Sequence, residues 1–128
     1  MRIAHTMIRV KDLEKSVAFY TKALDMKEFS RKDYEEGKFT LVFLGYDNIK
    51  NQPAIELTYN WGEHHYDMGN AFGHIAIEVN NVYHAYERIV EAGGKGVRAP
   101  GPMKHGKSVI AFVEDPDGYK IELVGLRE

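Results

Sequence analysis

The chain has 128 residues, 44% apolar and 28% charged, a formal net charge of −2 and no cysteine. That length suits one domain able to bury a core. The charge balance gives no global attraction to nucleic acid or an anionic membrane, and disulfides and thiolate metal sites are excluded. The N-terminal MRIAHTMIRV has no long apolar run, so no signal peptide or transmembrane segment is expected and the cytoplasm is the default location.

Residues 2–10, RIAHTMIRV, predict a strand. Asp12 can cap the next segment, where Leu13, Val17, Tyr20 and Leu24 recur at helical spacing. Two strands are expected next, KFTLVFLGY and PAIELTYN, separated by the turn-rich DNIKNQ. The pattern then restarts. GHIAIEV predicts a strand, and Asn80 or Asn81 can cap VYHAYERIVEAGG, with Val82, Ala85, Ile89 and Ala92 as its apolar stripe and Gly93 as its stop. A short strand around KGVRA leads into PGPMKHGK, a Gly- and Pro-rich loop. SVIAFVED and GYKIELVG then flank DPDG, which has type I turn chemistry.

The chain therefore reads as βαβ(β)β twice, an α+β protein with an internal repeat. HTMIRV matches HIAIEV and AIELT matches KIELV, at nearly equal separations within each half. Two matched pairs in corresponding slots, each histidine followed by a helix, are hard to attribute to chance.

Alternation along the strands places Ala54, Glu56, Thr58 and Asn60 on one face, and Lys120, Glu122 and Val124 on another. Ile3, His5, Met7 and Arg9 share a face of the first strand, as do His74, Ala76 and Glu78 of the fifth expected element. Two readings stand side by side. Each Glu can be a solvent-facing carboxylate on a half-buried sheet, and each His a structural residue. That reading treats the residues singly and does not predict one His and one Glu per repeat. Alternatively, His5, Glu56, His74 and Glu122 form a metal site. Two imidazoles and two carboxylates suit divalent Ni, Co, Zn, Fe or Mn and leave positions for substrate oxygens. Such an ion would act as a Lewis acid beside a carboxylate able to move a proton on the adjacent carbon.

The motifs HTMIRVKDLEKSVAFYTKAL, AIELTYNWG, FGHIAIEV and AFVEDPDGYKIELV, spread over nearly the whole chain, resemble glyoxalase I of the vicinal oxygen chelate superfamily. The resemblance implies one glyoxalase-type domain over residues 1–128, built of tandem βαβββ modules at about 1–62 and 72–128 that form curved mixed sheets. It implies isomerisation of the methylglyoxal–glutathione hemithioacetal to S-D-lactoylglutathione, a detoxification of methylglyoxal passing through a metal-bound enediolate. His5, Glu56, His74 and Glu122 fall on the metal-ligand positions. Glu122 falls on the carboxylate usually given the proton-transfer role, and Glu56 on its symmetry mate. Arg9 and Asn60 fall on glutathione-binding positions, His74 borders the substrate, and the loop carrying Lys104 and Lys107 lies where relatives close over substrate.

His5, where a longer branch has Gln, and the compact length resemble the bacterial-type branch. This implies Ni2+, with Co2+ possible and Zn2+ less able to support activity. Lys120 replaces an aromatic residue found in other branches. Glutathione or a related thiol is the implied co-substrate. A homodimer is implied, with each active site at the subunit interface and no nucleic-acid or membrane partner. His64, His65, His84 and His105 have no matched partners and read as surface residues. The alternatives are an epimerase of an acyl-CoA thioester on the same fold and a non-enzymatic drug-binding protein of the superfamily.

Overall fold

The repeat seen in the sequence is a repeat of strand order. The computed structural model describes residues 1–106 and 108–126 and divides into two compact units, Met1–Tyr66 and Asp67–Glu128. The first contains β1 (His5–Arg9), α1 (Leu13–Ala18), β2 (Lys27–Tyr34), β3 (Phe39–Gly45) and β4 (Ala54–Asn60). The second contains β5 (His74–Val79), α2 (Val82–Glu91), β6 (Lys95–Pro102), β7 (Val109–Glu114) and β8 (Lys120–Gly125). The sheets are ordered β1-β4-β3-β2 and β5-β8-β7-β6. In each, the first and last strands pair in parallel and the remaining pairs are antiparallel. The fold is thus a tandem of βαβββ modules with mixed sheets.

Local chemistry explains the elements. Asp12 caps α1 by accepting from the Lys15 backbone N–H at 3.1 Å, and Asn81 does the same for α2 from His84 at 3.1 Å. Past α2, Gly93 takes a φ of +97°, a left-handed conformation that ends the helix, and the Gly94 N–H reaches back to the Ile89 carbonyl at 2.8 Å. At DPDG the Gly118 N–H bonds the Asp115 carbonyl at 3.0 Å, while the buried Asp115 carboxylate accepts from the backbones of Asp117 and Tyr119, both at 2.9 Å. This turn sets where β8 begins, and β8 carries Glu122.

Each sheet buries the face that meets its helix. Val42, Leu44, Ile55 and Leu57 are buried in the first module, and Ala111, Val113, Ile121 and Leu123 in the second. Val82 and Ile89 complete the second core from α2. Among the described residues, no helix is long and apolar enough to cross a membrane.

Two expectations need correction. The first helix stays α-helical only to Ala18 and then widens into a π-helical turn over Phe19–Ala23. Its buried residues are Ser16, Phe19, Tyr20, Ala23 and Leu24, whereas Leu13 and Val17 of the expected stripe are only half-buried. The wider turn rotates the following side chains relative to α-helical spacing. Second, β2 is a full strand where apolar patterning predicts none. Its sequence, KEFSRKDY, lacks an alternating apolar face, and every residue but Tyr34 is exposed. It is an edge strand held by backbone pairing with β3, and apolar periodicity does not detect such a strand.

Asp115→Ala should cost about 1–3 kcal/mol of folding stability, because it strips an acceptor from two turn N–H groups. Urea unfolding followed by far-UV circular dichroism measures this; a loss below 0.5 kcal/mol (on the order of an ordinary surface change) would show that the turn holds without the carboxylate.

Candidate metal centre

Register brings each histidine to a glutamate from far along the chain. In the first module His5 lies opposite Ala54 and Met7 opposite Glu56. All four share a face, so His5 reaches Glu56 diagonally across the parallel pair, with Nε2 3.4 Å from the Glu56 carboxylate. In the second module His74 lies opposite Lys120 and Ala76 opposite Glu122. The His74 Nε2 is 3.2 Å from the Glu122 carboxylate.

Burial matches as well as distance. The Glu56 and Glu122 side chains are 12% and 16% exposed, those of His5 and His74 38% and 41%. These carboxylates are not solvent-facing residues on a wet sheet face. Removing a carboxylate from water is costly without a donor or cation beside it, and the imidazole edge is the polar group nearest in each pair.

A third residue completes each pair, and periodicity did not single it out. Phe43 lies opposite Glu56 on the antiparallel side, and Phe112 lies opposite Glu122. The Phe43 ring meets His5 with centroids 5.3 Å apart and planes crossing at 87°. The Phe112 ring meets His74 at 5.3 Å and 76°. The signal was in the sequence: LVFLG and IAFVE each place Phe in the strand before the glutamate strand. Selecting these residues required the register.

The donors suit a hard divalent ion. Two donors held about 2.1 Å from one ion at right angles lie about 3 Å apart, close to both observed separations. In neither module does a third His, Asp or Glu join the pair among the described residues. Each module therefore presents two such donors, one imidazole and one carboxylate.

The remaining expected site residues are distributed unevenly. Arg9 ends β1, exposed and on the face of His5; Asn60 ends β4, half-buried on the face of Glu56. The Asn60 amide donates to the Tyr66 hydroxyl at 3.1 Å, a partner not singled out from sequence. Lys104 is exposed in the hairpin after β6 and makes no hydrogen bond or ion pair with a described residue. The expectation for Lys107 lies outside the described residues. His64, His65, His84 and His105 are exposed, as expected.

A cavity of about 640 Å³ opens on the opposite face of the first sheet, bordered by Asp12, Arg31, Asp33, Thr40, Tyr59 and His64. Its polar groups already serve the fold. Arg31 is paired with Glu28 and, next in effect, Glu14, which hold its guanidinium above its ordinary pKa, and Asp33 accepts from Thr40 at 2.7 Å.

Comparison with known proteins agrees with this architecture. The sequence pattern of the Glyoxalase/Bleomycin resistance protein/Dioxygenase superfamily matches residues 2–123. A lactoylglutathione lyase of Neisseria meningitidis serogroup A is 58% identical over 124 residues, which is 97% of this chain and 90% of that one. The chain belongs to the glyoxalase I, or lactoylglutathione lyase, family of the vicinal oxygen chelate superfamily. It is an enzyme. Among solved structures, glyoxalase I from Zea mays aligns with a TM-score of 0.96 at 43% identity, covering 99% of this chain. This chain spans only 45% of the maize chain's length. The trypanothione-dependent glyoxalase I of Leishmania major aligns with a TM-score of 0.86 at 42% identity, covering 98% of this chain and 86% of that one.

Tyr66→Phe should release the Asn60 amide at a cost of about 0.5–1.5 kcal/mol, the usual worth of one hydrogen bond. The Asn60 side-chain amide resonances should shift while the backbone spectrum stays in place; unmoved amide resonances would show that Tyr66 does not hold Asn60.

Proposed function

We propose that this enzyme isomerises the hemithioacetal of methylglyoxal and glutathione to S-D-lactoylglutathione. The observation that carries the reading is the doubled His–Glu pair, at 3.4 Å in one module and 3.2 Å in the other. The identity to lactoylglutathione lyases over nearly the whole chain supports the substrate. The trypanothione dependence of the Leishmania relative makes the thiol a variable to test.

The residues divide the work. His5, Glu56, His74 and Glu122 would hold a divalent ion, nickel or cobalt by preference. When bound, it would polarise the two substrate oxygens and acidify the intervening C–H. Glu122 is assigned the proton transfer. Its carboxylate takes the proton from the carbon bearing sulfur and delivers it to the neighbouring carbonyl carbon, while the hydroxyl proton passes from the first carbon's oxygen to the second's, so the product differs from the substrate only in the positions of two hydrogens. Glu56, in the same setting in the other module, is its counterpart for the opposite face. The low exposure of both carboxylates suits this role, because a base shielded from water keeps its proton from exchanging during transfer.

Arg9 and Asn60 are assigned to the thiol moiety. The Arg9 guanidinium can clamp a carboxylate through two parallel hydrogen bonds. The Asn60 amide, oriented by Tyr66, presents its carbonyl to a peptide N–H. Lys104, on the exposed hairpin, is assigned to an anionic group of bound substrate. Following the family resemblance, the full ligand set is proposed to assemble in a homodimer, His5 and Glu56 from one chain and His74 and Glu122 from the other. The proposed location is the cytoplasm, where the thiol would be reduced.

Chelation should abolish turnover of the methylglyoxal–glutathione adduct, and Ni2+ or Co2+ should restore it. No recovery with either ion would sink the reading. Glu122→Gln should keep the fold and lower kcat by about 10²-fold or more, in line with the loss of a general base; unchanged kcat would remove Glu122 from the mechanism. Mixing Glu56→Ala chains with Glu122→Ala chains should regenerate activity, since each mixed dimer would hold one doubly damaged and one intact site. Activity no higher than that of the separate variants would contradict the shared site.

A further inference from the structure

We propose that Phe43 and Phe112 are positioning residues that fix the rings of His5 and His74 for metal binding. The inference rests on the metal reading above and adds a determinant of affinity that lies outside the ligand set.

The two modules act as independent copies of one experiment. Their sequences have diverged around the histidines. Arg9 corresponds to Glu78, Met7 to Ala76, Ala54 to Lys120 and Thr58 to Val124, by the register of the parallel strands. Through these changes of charge, size and polarity, three features persist on the His–Glu face of the matched strands: His, Glu and a Phe opposite the Glu. The Phe–His geometry persists with them, with centroids at 5.3 Å in both modules and ring planes crossing at 87° and 76°. Leu41 and Ile110, two positions further along the same strands, differ in identity. A residue chosen only to cover the sheet would be free to vary as they do.

The physical need is specific. A histidine on a strand can turn about two side-chain bonds, and only one orientation aims Nε2 at the glutamate. In metal sites the ring is usually fixed by a hydrogen bond from its second nitrogen to a carboxylate or carbonyl. No described residue supplies one to His5 or His74. The crossed phenyl ring is the contact that walls the imidazole. Crossed aromatic pairs at this distance are attractive beyond their buried area. The same ring excludes water from one side of the His–Glu pair, which strengthens electrostatic bonds formed there.

The test measures Ni2+ affinity of the full-length protein by competition with a chromogenic chelator. Phe43→Leu and Phe112→Leu should each weaken binding about two- to tenfold, the range expected from losing one aromatic pair. Phe43→Tyr and Phe112→Tyr, which keep the ring, should bind within twofold of the parent (well inside that range). Phe39→Leu is the control. Phe39 lies on the same strand face but stacks on Tyr34 at 4.7 Å, so its loss should leave affinity unchanged. In metal-free protein, the His5 and His74 ring-proton resonances should lose their phenyl ring-current shifts in the Leu variants and keep them in the Tyr variants. If a Leu variant fails to fold, Met at the same position, flexible and ringless, replaces it. Parent-like affinity in the Leu variants, or equal weakening by Phe39→Leu, overturns the proposal. A parent protein that binds no Ni2+ overturns the metal reading and this inference with it.

Discussion

The parallel pairing of the first and last strands of each module is the constraint on which the rest depends. β1 and β4 are joined by a helix and two other strands, yet their register places His5 and Glu56 on one face, one step apart along the ladder. A slip of one residue would turn every side chain of one strand to the opposite face. Glu56 would then point into the helix-packed core, where Ile55 and Leu57 now sit fully or almost fully buried. The apolar faces of Ile55 and Leu57, and of Ile121 and Leu123, therefore determine the register by hydrophobic burial. The His–Glu pairs inherit their geometry from it and need no separate device to bring them together.

Repetition and divergence have different physical origins. On the core face the retained residues are the apolar ones that fix the register, Ile55 and Leu57 matching Ile121 and Leu123; on the opposite face they are those that a divalent ion and its immediate surroundings would constrain: imidazole, carboxylate and the phenyl ring beside them. The positions just beyond have changed in charge and polarity. Arg9 stands where the second module has Glu78, and Thr58 where it has Val124. On the proposed reading, two such halves from different chains make a site that is symmetric at the metal and asymmetric around it. That asymmetry is what an unsymmetrical thiol adduct requires, and it can evolve at a neighbouring position without disturbing the ligands.

Legibility in the sequence followed burial. Strands with one apolar core face and one face carrying the His–Glu pairs, β1, β4, β5 and β8, declared themselves through alternation. β2 did not, because an exposed edge strand is stabilised by backbone bonds to β3 and carries no periodic side-chain signal. The π-helical turn at Phe19–Ala23 was equally silent, since its spacing differs from the α-helix only over one turn. Phe43, Phe112 and Tyr66 could be read as ordinary aromatic residues; what distinguishes them is the side chain each one faces.

The sequence by itself determined the twofold repeat, the two His–Glu sets and the faces on which they lie, because local periodicity and internal duplication are one-dimensional properties. Tertiary structure decided the rest. It showed that the two glutamates are mostly withdrawn from water, that each lies within 3.4 Å of its histidine, and that a phenyl ring stands across each imidazole. These are distances between residues far apart in the chain. They are fixed by which strand becomes the neighbour of which, a choice made by burial of the whole apolar face and encoded in no single segment.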